Sequence, residues 1–279
     1  MATISLKLKD SQIDSIYNLY KDNIKQVNNQ YVKYYFDLNK SNITVYTSNS
    51  VVFNGDNAYE LALNYFPTNN NRQAGSDEVG TGDTFGPIVV CAAIIETSDY
   101  EYINKQNITD SKKISDEKIM KIGPELIKKF KHSLIILDNV RYNEMNKKYN
   151  MNAIKAMLHN QSYINLIDKG YDIPKACIVD QFTPKDNYYG YLLNQPKVYD
   201  KLVFETKAES KYPAVAVASC IARYAFLVKF NELEKKYNMN LPKGSSDESI
   251  HDTIDLFIEK YSKNRLNEIC KLNFINKGE

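Results

Sequence analysis

The most constraining stretch of the sequence is a glycine-rich turn followed by an uncharged run of nine residues, Pro87–Ile95. A short apolar run rich in Val and Ile predicts a strand that is buried on both faces. Gly80, Gly82 and Gly86 precede the run, permit a tight reversal, and leave backbone N–H groups open to a ligand. The stretch therefore predicts a β-hairpin with a bare turn.

Two adjacent carboxylates, Asp77 and Glu78, lie in the first strand of this hairpin. Acids beside a core strand are costly unless a cation neutralises them, and carboxylate oxygens suit Mg²⁺ or Mn²⁺. Neighbouring side chains on a regular strand point to opposite faces. The pair therefore shares a metal only if the strand bends or one residue contributes its backbone carbonyl. On these two residues alone, acids of a hairpin turn are an equally good interpretation.

Composition places the chain among soluble proteins with more than one domain. Its 279 residues are enough for two domains and a large core. Its net charge of +2 is too close to zero to indicate a polyanion partner. The four cysteines lie far apart in apolar runs, which predicts buried free thiols in a reducing compartment. The three histidines lack metal-ligand spacing, so no zinc site is expected. Without a signal-peptide core or a long uncharged run, we expect a cytoplasmic protein and no membrane contact.

Residues 1–66 are predicted to form a small α+β unit with the order β-α-β-β-β-α. Asp10 or Ser11 is the expected cap of the first helix, whose apolar positions recur at helical spacing from Ile13 to Val27. Polar, turn-forming residues at 67–74 then predict an interdomain linker.

Tyr31, Lys33 and Tyr35 alternate along the second predicted strand and so share one of its faces. Such a face is suited to stacking on a nucleic acid. Half-buried tyrosines that pack a small sheet explain the same pattern equally well.

Residues 75–279 are predicted to form one α/β domain with helices at its C-terminal end. Antiparallel strands followed by β-α alternation predict a mixed sheet with flanking helices. The expected elements after the hairpin are a helix capped by Ser115 and ending at Phe130, strands at 133–137, 176–180 and 201–205, and helices at 151–169, 212–237, 248–261 and 263–272.

Two further acids lie where elements of this domain end. Asp180 closes a short apolar strand, and ligand sites of α/β sheets lie outside such carboxyl ends. Glu209 precedes the long helix, where alone it is more simply an ordinary charged loop residue than an acid beside the helix N-terminus. With Asp77 and Glu78 they make four carboxylates, enough to hold two Mg²⁺ ions about 4 Å apart. One such ion activates a water for attack on a phosphodiester, and the other neutralises the leaving oxygen.

A basic segment, residues 105–131, contains eight lysines against four acids, a local net charge of +4. Such a charge suits contact with phosphates. Because a solvated helix face explains most of these lysines, only Lys112 and Lys113 are kept as functional candidates.

The combined motifs resemble those of type 2 ribonucleases H. The resemblance extends in order and spacing through residues 75–229 and includes the segments Gly75–Pro87, Asp110–Lys113, Ile178–Gln181 and Lys207–Arg223. The N-terminal unit resembles the TBP-like substrate-binding domain that distinguishes ribonuclease HIII. Thr81 between two glycines also fits that branch, since ribonuclease HII has Arg there.

This resemblance implies an endonuclease that cuts the RNA strand of RNA–DNA hybrids and leaves 5′-phosphate and 3′-hydroxyl ends. It gives the catalytic and metal-binding roles, with two Mg²⁺ or Mn²⁺ ions, to Asp77, Glu78, Asp180 and Glu209. The wider family often has Asp at the fourth position, so the longer Glu209 leaves the metal spacing and preference open.

The same resemblance implies which residues contact the substrate. Gly80, Thr81 and Gly82 would present backbone groups to ribose 2′-hydroxyls, and Ser111 and Lys112 would contact phosphate. No obligate protein partner is evident, and a monomer is expected. The alternative from another class is a non-catalytic protein that binds nucleic acid through its N-terminal sheet. Four buried acids near a polyanion site disfavour this alternative unless metals are present.

Overall fold

The computed structural model describes residues 2–63, 65, 72–108, 111–246 and 248–275. The chain divides into two compact units, residues 1–70 and 71–279. Most of the predicted linker lies outside the described residues. Its last two residues, Gln73 and Ala74, instead open the first strand of the second unit.

The N-terminal unit is a four-stranded antiparallel sheet with two helices, in the predicted order β-α-β-β-β-α. Its elements are β1 (Ala2–Lys7), α1 (Asp10–Tyr20), β2 (Val32–Asp37), β3 (Ser41–Tyr46), β4 (Ser50–Gly55) and α2 (Ala58–Leu63). The strands lie in the order β1-β4-β3-β2. Alternate apolar residues of the strands pack with those of α1 and α2 into a core of the unit's own, which includes Ile13, Ile16, Phe36, Ile43 and Phe53.

The first helix is shorter than predicted and is capped one residue earlier. Lys9 is the N-cap, and its backbone N–H donates to the Gln12 side chain at 3.1 Å. The prediction that the apolar face of the helix continues to Val27 is wrong. After Tyr20 the chain leaves the helix and forms a bridge between Ile24 and Phe36, while Val27 is 46% exposed.

Strand β2 does not keep the unbroken alternation from which the tyrosine face was predicted. Its register with β3 shifts between Val32 and Tyr34, so Lys33 is an extra residue in the ladder. Tyr34 packs on the core of the unit, and Tyr31 lies before the strand, 63% exposed. The bulge therefore separates Tyr31 from the regular part of the strand.

The second unit contains a five-stranded mixed sheet in the order β7-β6-β5-β8-β9. Pairing is antiparallel from β5 through β6 to β7 and parallel from β5 through β8 to β9, which confirms the predicted mixed sheet. Its strands are β5 (Gln73–Val79), β6 (Ile88–Ile95), β7 (Lys131–Leu137), β8 (Ala176–Asp180) and β9 (Val203–Glu205). Its helices are α3 (Tyr100–Lys105), α4 (Asp116–Lys129), α5 (Asn139–Asn146), α6 (Met151–Asp168), α7 (Lys185–Gly190), α8 (Pro213–Tyr237), α9 (Ser249–Tyr261) and α10 (Leu272–Ile275).

The prediction missed three of these helices, α3, α5 and α7, and misjudged the end of the chain. A 3₁₀ segment, Lys263–Glu268, and the short α10 stand where a single helix at 263–272 was expected. The four cysteines are free and buried, as predicted.

Helices α8 and α6 both pack against the central strands of the sheet. Helix α8 has 25 residues and is long and apolar enough to cross a membrane by those two criteria alone. However, 72% of its most apolar stretch is buried inside the fold, as in the core helix of a globular domain. Pro213 occupies its first turn, where a missing N–H is tolerated.

Candidate active site

The end of strand β5 directs Asp77 towards helix α8. Gly75 lies two residues earlier on the same face, and a Cβ there would be 2.4 Å from the backbone nitrogen of Val215. The absence of that Cβ lets α8 approach the strand. The Asp77 carboxylate accepts a hydrogen bond from the Glu78 backbone N–H at 2.8 Å, and it interacts favourably with the nearby Ser219 side chain of α8. Asp77 is only 8% exposed.

Glu78 faces helix α6, on the other side of the strand. Its Oε1 forms an ion pair with Lys155 Nζ, and its Oε2 accepts a hydrogen bond from His159 Nε2 at 2.8 Å. The other ring nitrogen of His159 lies 2.8 Å from Ser76 Oγ, and Lys155 Nζ lies 3.9 Å from the centre of the Phe182 ring. Burial acts to raise the pKa of Glu78, but His159 and Lys155 outweigh it and lower that pKa to about 2.

Glu209 lies in the 3₁₀ turn Ala208–Ser210 that precedes α8, and it is buried there. Its Oε1 accepts a hydrogen bond from the backbone N–H of Ser111. The Ser111 hydroxyl lies 2.8 Å from the Ser219 hydroxyl, and Ser219 interacts with Asp77. Contacts of the two serines therefore link Glu209 with Asp77.

Asp180 is the last residue of strand β8, and its Oδ1 accepts a hydrogen bond from the Ala208 N–H at 2.8 Å. In the parallel ladder, Ser76 pairs with Val179. Asp77 and Asp180 are the next residues of these two strands, which lie about 4.8 Å apart. The two acids therefore lie at the same edge of the sheet.

The gathered acids create an excess of negative charge. Burial, followed by repulsion from Glu78 and Glu209, raises the pKa of Asp77 well above its usual range. A hard divalent cation relieves that repulsion, and carboxylate oxygens are its preferred donors, so the site suits Mg²⁺ or Mn²⁺ in charge and chemistry.

The acids do not yet form a coordination shell. Within the ranges that the structure describes, no group of three or more His, Cys, Asp or Glu side chains is arranged to hold a metal ion. Oxygens of Glu78, Asp180 and Glu209 instead accept from Lys155 and His159, from the Ala208 N–H and from the Ser111 N–H. Ligation by these carboxylates therefore requires some of these contacts to rearrange.

The glycine turn after β5 is closely packed at one end and open at the other. Gly80 is buried with a φ of +92°, and a Cβ there would be 2.1 Å from the carbonyl oxygen of Pro87. Thr81 is half-buried, whereas Gly82 is exposed and a Cβ there would have no atom within 4 Å. The turn therefore needs glycine for its shape at Gly80 and offers open space for a ligand at Gly82.

The predicted phosphate-contacting segment is a 3₁₀ turn, Ser111–Lys113, preceded by Asp110 outside the described residues. Its serine is buried and its two lysines are exposed. Arg223 on α8 donates to the first carbonyl of the turn and, at 2.7 Å, to the Ile114 carbonyl, and it also pairs with Asp116. Arg223 therefore fixes the turn against helix α8, the helix that Asp77 faces.

The sequence analysis did not anticipate the roles of Lys155, His159 and Arg223. Lys155 and His159 are four residues apart on α6 and are 8% and 0% exposed. Two ionisable residues one turn apart among apolar positions of a helix are the signal that would have marked them as partners of a buried acid.

Comparisons with known protein families match both units. Residues 74–277 match the family model of ribonuclease HII, and residues 3–78 match a domain of unknown function, DUF3378. The chain is 40% identical to ribonuclease HIII of Phytoplasma mali (strain AT), over 99% of this chain and 97% of the relative. It is 42% identical to ribonuclease HIII of Bacillus cereus (strain AH187), over 72% of this chain and 66% of the relative.

Solved structures give the same result. The Mn²⁺ complex of Bst-RNase HIII matches with a TM-score of 0.74 and 28% identity, covering 99% of this chain and 96% of that one. Aquifex aeolicus RNase H3 matches with a TM-score of 0.58 and 26% identity, covering 97% of this chain and 99% of that one.

The mixed sheet with acids at its strand ends is that of a nuclease of the ribonuclease H class. The chain belongs to the ribonuclease HIII family, whose members are endoribonucleases that cleave the RNA of RNA–DNA hybrids. The resemblance inferred from the motifs is confirmed, as is the mixed α/β fold with an N-terminal antiparallel sheet.

Proposed function

We propose that the chain hydrolyses the RNA strand of RNA–DNA hybrids with Asp77, Glu78, Asp180 and Glu209 as ligands of two divalent ions, Mg²⁺ or Mn²⁺. The observation that carries this proposal is the charge at the edge of the sheet. Burial and the charges of Glu78 and Glu209 raise the pKa of Asp77, and Asp180 ends the neighbouring strand. The crystallised relative Bst-RNase HIII binds Mn²⁺.

When bound, such ions supply an activated water and neutralise the leaving oxygen, which leaves 5′-phosphate and 3′-hydroxyl ends. The task of the protein is to hold the carboxylates and to orient the hybrid. Because the Glu78 side chain faces α6, Glu78 either leaves Lys155 to reach an ion or contributes its backbone carbonyl.

Two turns beside the acids are suited to orienting the hybrid. The open backbone at Gly82, next to the half-buried Thr81 and the buried Gly80, would meet ribose 2′-hydroxyls, which distinguish RNA from DNA. The turn that contains the buried Ser111 and the exposed Lys112, fixed by Arg223, would contact phosphate.

The domain assignment belongs to the same proposal. Residues 1–66 form a TBP-like substrate-binding domain, and the unit that begins with β5 at Gln73 forms the catalytic domain, acting as a monomer. The buried free thiols support a reducing, cytoplasmic location.

Cleavage of an end-labelled RNA–DNA hybrid, with duplex DNA and duplex RNA as comparison substrates, tests the proposal. Asp77→Asn and Asp180→Asn should each abolish cleavage of the hybrid while hybrid binding persists. Asp186→Asn, at an exposed acid of α7, is the matched control and should cleave normally. Undiminished cleavage by both site variants, or equal cleavage of duplex DNA, refutes the assignment.

A further inference from the structure

We propose that Lys155 is an internal counter-cation of Glu78 that competes with divalent ions for this carboxylate, and so lowers the affinity of the site for metal. The inference rests on the proposed function, because it takes the carboxylate of Glu78, rather than its backbone carbonyl, as a metal ligand. It goes further because it assigns control of the metal affinity to a residue of the chain, Lys155.

The pairing of Lys155 with Glu78 is buried. The two side chains are 10% and 11% exposed, and the ammonium group also lies over the ring of Phe182. Among the residues that the structure describes, Glu78 is the only carboxylate within 4.0 Å of Lys155 Nζ. An ammonium group so far from water needs that carboxylate to offset its lost hydration, and the Glu78 carboxylate needs a cation for the same reason.

A divalent ion and Lys155 require the same oxygens. Lys155 occupies Oε1 of Glu78, and His159 occupies Oε2. An ion that uses this carboxylate must share an oxygen with one of them or displace it, and it also meets the repulsion of the ammonium charge at short range. Both effects weaken metal binding, so loss of the Lys155 charge tightens it.

The same loss destabilises the metal-free protein. Without Lys155, the buried Glu78 carboxylate keeps only His159 as a charged or polar side-chain partner among its described contacts. The variant therefore combines a less stable metal-free fold with a tighter metal site. Loss of a residue with only a structural role would also destabilise the fold, but it would weaken metal binding, because a loosened site binds metal more weakly.

The experiment is a calorimetric titration of the full chain with Mn²⁺ in the absence of substrate, together with thermal unfolding in EDTA and in Mn²⁺. Lys155→Met keeps the apolar stem over Phe182 and removes the charge. We expect its Mn²⁺ affinity to rise about tenfold or more, its unfolding temperature in EDTA to fall, and its stabilisation by Mn²⁺ to grow. Lys155→Gln, a second uncharged variant, should behave in the same way if the Met variant folds poorly.

Two controls complete the test. Lys155→Arg restores the charge and should return the affinity towards the wild-type value. Lys147→Met removes a lysine that is 67% exposed and pairs with Glu144 at the surface, and it should change neither quantity.

The outcomes separate this inference from the proposed function. Unchanged or weaker Mn²⁺ binding by both uncharged Lys155 variants overturns the competition and leaves Lys155 as a scaffold for Glu78. Absence of Mn²⁺ binding by the wild type, or binding that Asp77→Asn leaves intact, contradicts the proposed metal site itself.

Discussion

Replacement of Lys271 by Met should change how the stability of the protein depends on pH. Lys271 is fully buried, and its ammonium group donates to the carbonyl oxygens of Asp83 at 2.9 Å and of Gly86 at 2.7 Å. These contacts join the end of the chain to the glycine turn of the candidate site. Burial lowers the pKa of Lys271 from 10.5 to about 7, although nearby Asp83 acts to raise it.

The direction in which stability changes with pH follows from which state, folded or unfolded, binds the proton more tightly. The pKa in the folded protein lies below the unfolded value, so between about pH 7 and 10.5 the unfolded chain holds a proton that the folded protein releases. Stability from this group therefore increases as the pH rises through that window. With the two pKa values of about 7 and 10.5, linkage gives an increase of about 3 kcal/mol from pH 7.5 to pH 10.

Urea unfolding of the wild type and of Lys271→Met in EDTA, across that pH range, measures the effect. Tyrosine and cysteine titrations other than that of Cys270, whose pKa Lys271 acts to lower, are common to both proteins and cancel in the difference between their free energies of unfolding. That difference should shift in favour of the wild type by about 3 kcal/mol as the pH rises. A difference that stays constant with pH refutes the buried, pKa-shifted state of Lys271.

Two further perturbations test the packing of the site and the role of the N-terminal unit. Gly75→Ala places a Cβ 2.4 Å from the Val215 nitrogen, so we expect urea unfolding to show a loss of about 1–3 kcal/mol. Gly190→Ala has no atom within 4 Å of the new Cβ and is the control, and equal stability of the two variants would contradict the close packing of α8 on β5. Deletion of residues 1–70 should raise KM for the hybrid about tenfold or more with a much smaller change in kcat, since chemistry is assigned to the other unit. An unchanged KM would argue against a substrate-binding role for that unit.

Local patterns predicted the parts of the fold that depend on neighbouring residues. Ser115 caps α4 by accepting from the Lys118 N–H, and the Val- and Ile-rich run forms β6, the strand between β5 and β7. Strand alternation also indicated that Asp77 and Glu78 face opposite sides, as their contacts with α8 and α6 show. Such features follow from backbone geometry within a few residues.

Features that depend on distant partners were not predictable in the same way. Glu78 meets His159 across 81 positions of the chain, and no spacing rule connects them. Ile24 continues the helical period of α1, yet it pairs with Phe36 because the chain turns to run beside β2. Pattern identifies which side chains are buried or polar, but only the packing of elements decides which of them meet.

The central claim is that oxygens from four separate positions in the chain bind the same divalent ions. A crystal structure of the wild-type protein with Mn²⁺, using anomalous scattering to locate the metal, tests it most directly. The account predicts Mn²⁺ at the shared edge of β5 and β8, bound through oxygens of Asp77, Glu78, Asp180 and Glu209. Manganese bound elsewhere, or at that edge without one of these four residues, would contradict it.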